Sequence, residues 1–230
     1  MLNLEIWDQL LHQYVNDRGQ VNYAIWKTES AQLLKDWLQQ ISQIDVQSLD
    51  RNEQLALWLN LYNALVIDQV LAVYPIDSIR PTVLGIPNWL VFLQFFQHKI
   101  YRLDQQDYSL NDIEHGIIRP QFRDPRIHFA LVCAAIGCPL LRNQAYQPHL
   151  LQAQLEEDAD RFINNPEKVR YESPVLYCSK IFQWYQQDFI HVATAIPKFV
   201  QPYLPGSLAL TNTTPIRYLP YDWRLNQIGT

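Results

Sequence analysis

The sequence predicts an α+β, helix-rich single domain with a small, mostly antiparallel sheet. Three observations lead there. Apolar residues recur at helical spacing in several long stretches. Short runs of β-forming residues lie between them. No repeat or low-complexity linker divides the 230 residues, so residues 1–230 read as one domain with an N-terminal helix packed on the rest.

Taken in order, residues 4–15 place Ile6, Trp7, Leu10, Leu11 and Tyr14 on a helical stripe, and Asn16-Asp17-Arg18-Gly19 stops it. Residues 21–26 alternate briefly and are expected to be extended. Residues 31–44 are helical, with Leu34, Trp37, Leu38 and Ile41 on one face. Asp50 or Asn52 caps a long helix running to about Tyr74, and Asp50 stands three residues before Glu53, a capping-box spacing. That helix is apolar on most sides and therefore central. Asn60 and Asn63 are neighbours on its surface. Left unpaired in a core, each amide would cost roughly 1–3 kcal/mol, so they either hold a loop's backbone or face a pocket.

Tyr74-Pro75 ends the helix, and Pro81, Gly85 and Pro87 make the next stretch loop-like. Residues 89–96 are strongly apolar, and periodicity does not separate helix from strand there. Residues 98–103 read as a strand with a turn at 104–107. Ser109 opens a helix with Asp112 at the capping-box position, and Arg119-Pro120 closes it. Residues 127–133 (IHFALVC) are the best candidate for a buried strand. Pro139 suits a first helical position, with Cys138 before it as N-cap. A helix from Pro148 to Phe162, a strand over 175–182, a helix over 184–192 and an extended segment over 216–223 complete the chain.

Composition narrows function. Net charge is −5, and no Lys/Arg run supplies a phosphate-binding footprint, so nucleic acid is not an expected partner. The longest apolar stretches are interrupted by polar residues or are too short to span a bilayer, and no secretory signal opens the chain. A cytoplasmic protein with no membrane role follows, and its three cysteines are expected to be free thiols. The expected partner is a small-molecule or peptide ligand. No cofactor is indicated, and no feature of the sequence sets an oligomeric state.

Residues 109–146 concentrate the chemistry: Glu114, His115, His128, Cys133 and Cys138. Four blocks carry a resemblance: WLNLYNAL from Trp58, LNDIEHGIIRPQF from Leu110, DPRIHFALVCAAIGCP from Asp124 and YLPYDWRLN from Tyr218. They look like the signatures of the domain of unknown function 547 family, in its stand-alone bacterial form, over about residues 21–226. The resemblance implies fold and relatedness, with no established activity attached. Relatives usually carry a Ser-like residue where this chain has Gly137.

Thiol, imidazole and carboxylate suit nucleophilic catalysis. A thiol at a helix N-terminus is activated by the dipole, which places Cys138 ahead of Cys133. On a strand, His128 and Cys133 would face opposite sides roughly 16 Å apart, so His128 must meet Cys138 through a turn at Gly137. Glu114 and His115, adjacent on a helix, would point about 100° apart and not pair. One of them orients His128 or supplies the acid–base group. The expectation is a thiol hydrolase or acyltransferase with papain-like logic: Cys138 attacks, His128 is the base and Glu114 orients it. Asn60 and Asn63 floor the site, Asn60 as an oxyanion donor, and Arg119 and Arg126 (or Arg142) hold an anionic group. Two alternatives remain: a non-catalytic binding module, and zinc bound by His115, His128, Cys133 and Cys138. The Cys-x4-Cys and His-x4-Cys spacings fit common zinc motifs poorly, and no metal is expected.

Overall fold

The computed structural model describes residues 2–83, 86–206, 208 and 210–229, with the side chains of Val83 and Pro87 left aside. Its centre is the helix Arg51–Val73 (α4). Asp50 accepts from the backbone of Asn52 and Glu53 while Glu53 answers to the backbone of Asp50, a complete capping box. Every residue from Leu55 to Ile67 is buried, which accounts for a helix apolar on all sides. Around it pack Glu5–Tyr14 (α1), Tyr23–Glu29 (α2) and Ala31–Ile41 (α3), joined by the fully buried rings of Trp7, Trp26 and Trp37.

Residues 21–26 are not a strand. Val21 makes only bridges, and the Asn22 side chain caps α2 by accepting from Ile25 N–H. Local capping overrides the short alternation. After α4, Thr82–Val83 (β1) pairs antiparallel with Ile86–Pro87 (β2), and a helix follows, Trp89–Gln97 (α5). Tyr101–Leu103 (β3) and Gln106–Tyr108 (β4) form an antiparallel hairpin turned by Asp104 and Gln105, both at positive φ.

Ser109 and Asp112 make the expected reciprocal cap. The segment they open is wound as a π-helix, Asp112–Ile118, continued by Arg119–Phe122 (α6). In it the Arg119 N–H reaches the carbonyl of Glu114, five residues back.

The expected strand over 127–133 is absent. Asp124 caps a 3-10 helix, Pro125–Phe129, with proline at its start, and residues 130–150 then run without regular secondary structure. A short apolar run does not identify a strand, and here it is buried as a 3-10 turn and loop. The helix expected at Pro139 does not form either. Cys138 N–H closes a turn onto the carbonyl of Ala135 at 3.0 Å instead.

A second, smaller core gathers around Phe129. It is built by Leu151–Ile163 (α7), the strands Val169–Glu172 (β5) and Val175–Cys178 (β6), and the helices Lys180–Trp184 (α8), Gln186–Ala193 (α9) and Ile196–Val200 (α10). β5 and β6 pair antiparallel, and Ile216–Tyr218 (β7) adds parallel to β6. The C-terminal segment then lies against the irregular loop. Asn226 N–H bonds Ala134 O, Ile136 N–H bonds Arg224 O and Gly137 N–H bonds Asp222 O, at 2.7–2.9 Å. The fold is helix-rich α+β, with antiparallel pairing in all but one strand pair among the described residues.

Candidate functional site

The loop bearing the cysteines is clamped by α4. Asn63 donates to Ala130 O and accepts from Val132 N–H, at 2.9 and 3.0 Å. One turn back, Asn60 donates to Tyr146 O and to Ala56 O and accepts from Tyr146 N–H and the Trp7 indole. Both amides are spent on backbone. Asn60 has no N–H left for an oxyanion, which corrects that expectation, and Asn63 gives one N–H and its carbonyl to the loop. A satisfied buried amide is the cheaper arrangement.

Between the clamps, Cys133 and Cys138 face one another across a turn. The Cys138 sulfur accepts from the Cys133 backbone N–H and from the Tyr221 hydroxyl, each at 3.1 Å. Tyr221 also lies 3.5 Å from the Cys133 sulfur. Burial alone would raise the Cys138 thiol. The Cys133 thiol, the Tyr221 hydroxyl and two backbone amides outweigh it and bring Cys138 down to about 7. Cys133 moves the other way, because its proton is held toward Cys138 and because it is desolvated. The pair thus shares one early proton loss, with the charge on Cys138. Cys178, the third thiol, sits in β6 and is pushed up to about 12 by burial alone, an inert core residue.

Gly137 permits this closure. A Cβ there would stand 2.8 Å from the Tyr221 ring and 2.9 Å from the Asp222 carbonyl. A side chain at this position would press on the Tyr221 ring and on the Asp222 carbonyl.

The imidazole of His128 is buried, stacked on the Tyr185 ring at 3.8 Å between centroids. Its Nε2 lies 2.7 Å from Asp188, so Nε2 carries the hydrogen and Nδ1 is the basic nitrogen. Asp188, not Glu114, is therefore the orienting carboxylate. It also receives a two-pronged bond from Arg119, at 2.8 and 3.0 Å. Partial burial raises the Asp188 carboxyl, but His128 and Arg119 prevail and hold it well below the usual carboxylate range. Burial lowers His128 below 6.5 despite its carboxylate neighbours, so the ring is neutral at pH 7.

Glu114 has a different task. It is buried and accepts from the hydroxyls of Tyr62 and Tyr185, at 3.1 and 2.5 Å. His115 comes within 3.9 Å of it, contrary to the expected divergence, on a segment wound as a π-helix rather than an α-helix. Arg119 donates to His115 Nδ1 at 2.9 Å. The remaining arginines are structural. Arg126 pairs with Asp124 and Glu156, and Arg142 pairs with Asp158 and Glu157. Arg119, Arg126 and Arg142 all have protein carboxylates for partners, so none is a free anion receptor in this arrangement.

Glu114, His115, His128, Cys133 and Cys138 all line one cavity of about 370 Å³. Tyr62, Tyr185 and Tyr221 complete its polar floor, and α5 forms an apolar wall opposite. Direct hydrogen bonding joins Cys138 to Tyr221, and His128 to Asp188, with no bond between thiol and imidazole. Among the described residues, no three His, Cys, Asp or Glu side chains converge to hold a metal ion. Tyr62, Tyr185, Asp188 and Tyr221 join the site without being among the residues the sequence points to. Tyr62 and Tyr221 lie inside resemblance blocks, whereas Asp188 and Tyr185 lie in a stretch without a motif signal.

No curated protein and no solved structure matches the chain. The sequence model of the family described as "Protein of unknown function, DUF547" matches residues 46–163, a span that holds Tyr62, Glu114, His115, His128 and both loop cysteines. Covering just over half of the chain, that match makes the protein a member of the DUF547 family.

Proposed function

We propose that the protein is a thiol-dependent hydrolase or acyltransferase with Cys138 as nucleophile. The observation that supports this reading is the Cys138 sulfur held by two hydrogen-bond donors in a cavity it shares with a neutral, carboxylate-oriented histidine. A thiolate stabilised by amide and phenol donors needs no imidazole partner in order to form. It attacks a substrate carbonyl, a carbon–sulfur bond forms, and the bond to the leaving group breaks, the group departing as its anion and taking a proton from solvent. His128 acts in the second half: its Nδ1 takes a proton from water or an acceptor, which attacks the thioester and returns Cys138 as thiolate, and the imidazolium then gives that proton back to solvent. Asp188 keeps the ring in the required tautomer, the role of the carboxylate in a catalytic triad. Glu114, tied to two tyrosines, fixes the floor on which His128 stacks.

The test is an activated ester such as p-nitrophenyl acetate. One equivalent of rapid p-nitrophenol release is expected, with an acetyl mass gain mapped to Cys138 and lost in Cys138→Ser. An intact Cys138 after full exposure would refute the assignment. The second reading is a non-catalytic binding module. It is favoured by the missing thiol–imidazole bond, and ligand binding without acylation would support it.

A further inference from the structure

We infer that the cavity takes an unbranched apolar chain, the acyl portion of the substrate, with its carbonyl at Cys138 and its tail beneath α5. This rests on the thiol-transfer reading for the carbonyl's position and on the cavity walls for the tail. The helix α5 reads WLVFLQFFQ, apolar almost all round, yet none of its residues is buried. Such a helix is normally a core element. Here Phe92 and Phe96, with Leu93 at the lip, line the cavity, and Leu131, Ile181 and Trp184 also line it. Trp223 anchors this wall. Its ring meets Phe92 edge-on at 5.0 Å, and the Arg80 guanidinium lies over it at 4.6 Å.

Polarity is segregated within the same space. The ionisable groups, namely the two thiols, Glu114, His115, His128 and the tyrosines, come from α4, the π-helix, the 3-10 helix, the loop, the α8–α9 junction and the C-terminal segment. From α5 itself the only polar side chain lining the cavity, apart from the Trp89 indole, is the uncharged Gln97. A peptide or sugar would bring hydrogen-bonding groups against a wall with almost no partners for them. A methylene chain covers those rings and leaves nothing unsatisfied. At about 370 Å³ the cavity falls within the usual range for small-molecule sites, roughly 300–1,000 Å³.

The test uses neutral, unreactive probes. The 1-alkanols from butanol to decanol would be titrated into the full chain by calorimetry, each below its solubility limit. Affinity is expected to rise by roughly fourfold per methylene, as for apolar transfer from water, and then to level off when the cavity is full. Leu93→Trp, at the cavity lip, should bring that plateau at a shorter chain. Equal affinity for butanol and decanol, or tighter binding of benzyl alcohol than of decanol, would overturn the inference. Because alkanol binding needs no thiol, Cys138→Ser should keep the same series. A steep series with no acylation of Cys138 would sink the catalytic reading and spare this one. A flat series with Cys138 acylated equally by acetyl and decanoyl esters would do the reverse.

Discussion

Asn60 and Asn63 on α4 and Cys133 and Cys138 on the loop are both pairs of polar side chains set into the core, and they differ in what is left over. Asn60 has both donors and its acceptor engaged with protein groups, and Asn63 holds the loop's main chain through one N–H and its carbonyl. The Cys138 sulfur accepts from neighbours, but it also faces a cavity. Saturated polar groups fix structure, whereas unsaturated ones beside an empty volume remain available to a ligand. Substitutions should therefore separate the two pairs, with stability lost at the first and reactivity at the second.

The largest effect is expected for Asn60→Leu. It leaves the amide and carbonyl of Tyr146 and the indole N–H of Trp7 without their partner. A loss of about 3 kcal/mol is expected from unpaired buried groups, read as a lower urea midpoint at unchanged slope. Asn60→Leu with wild-type stability would break the comparison at its structural end.

Asp188→Asn should cost less, about 1–2 kcal/mol, since Asp188 is partly exposed and Arg119 keeps contact with His115. The pH dependence is sharper than the magnitude. His128 and Asp188 both titrate lower in the folded protein than in the unfolded chain. Unfolding therefore takes up protons, and stability falls as pH drops, first below 6.5 through His128 and then below about 4 through Asp188. The variant should lose the second phase. Denaturation midpoints from pH 7 to pH 3 would show it, and an unaltered acid limb would mean that Asp188 is not the histidine's partner.

The same contrast separates what was legible in the sequence from what was not. Helices α1, α3, α4 and α7 follow from spacing, and the α4 capping box from two residues three apart, because those signals are local. The roles within the site are not local. His128 finds its carboxylate sixty positions on, and Cys138 finds its phenol eighty-three positions on. No spacing rule reaches either. The expected strand at 127–133 failed for a related reason. An apolar run reports burial, and the cap at Asp124-Pro125 decided the backbone. Once the strand is gone, so is the argument that held His128 and Cys133 on opposite sides. Asn60 and Asn63 were visible as a helical pair with two possible duties, and only the position of residues 130–146 selects the structural one.

The smallest stability change, and the most direct probe of the reactive pair, belongs to Tyr221→Phe. The lost hydroxyl serves two sulfurs, which are weak acceptors, so the cost should stay under about 1 kcal/mol. Its effect on the thiol is another matter. With the phenol in place, alkylation of Cys138 by iodoacetamide should rise with pH around a midpoint of about 7. Without it, burial is opposed by the Cys133 thiol, backbone amides and the Lys168 charge, and the midpoint should move upward. Gly137→Ala should give the same upward shift by steric means, because its Cβ takes the space of the Tyr221 ring. Agreement between the two variants would assign the activation to the tyrosine's position. A midpoint unmoved in both would return Cys138 to the structural class now occupied by the asparagines.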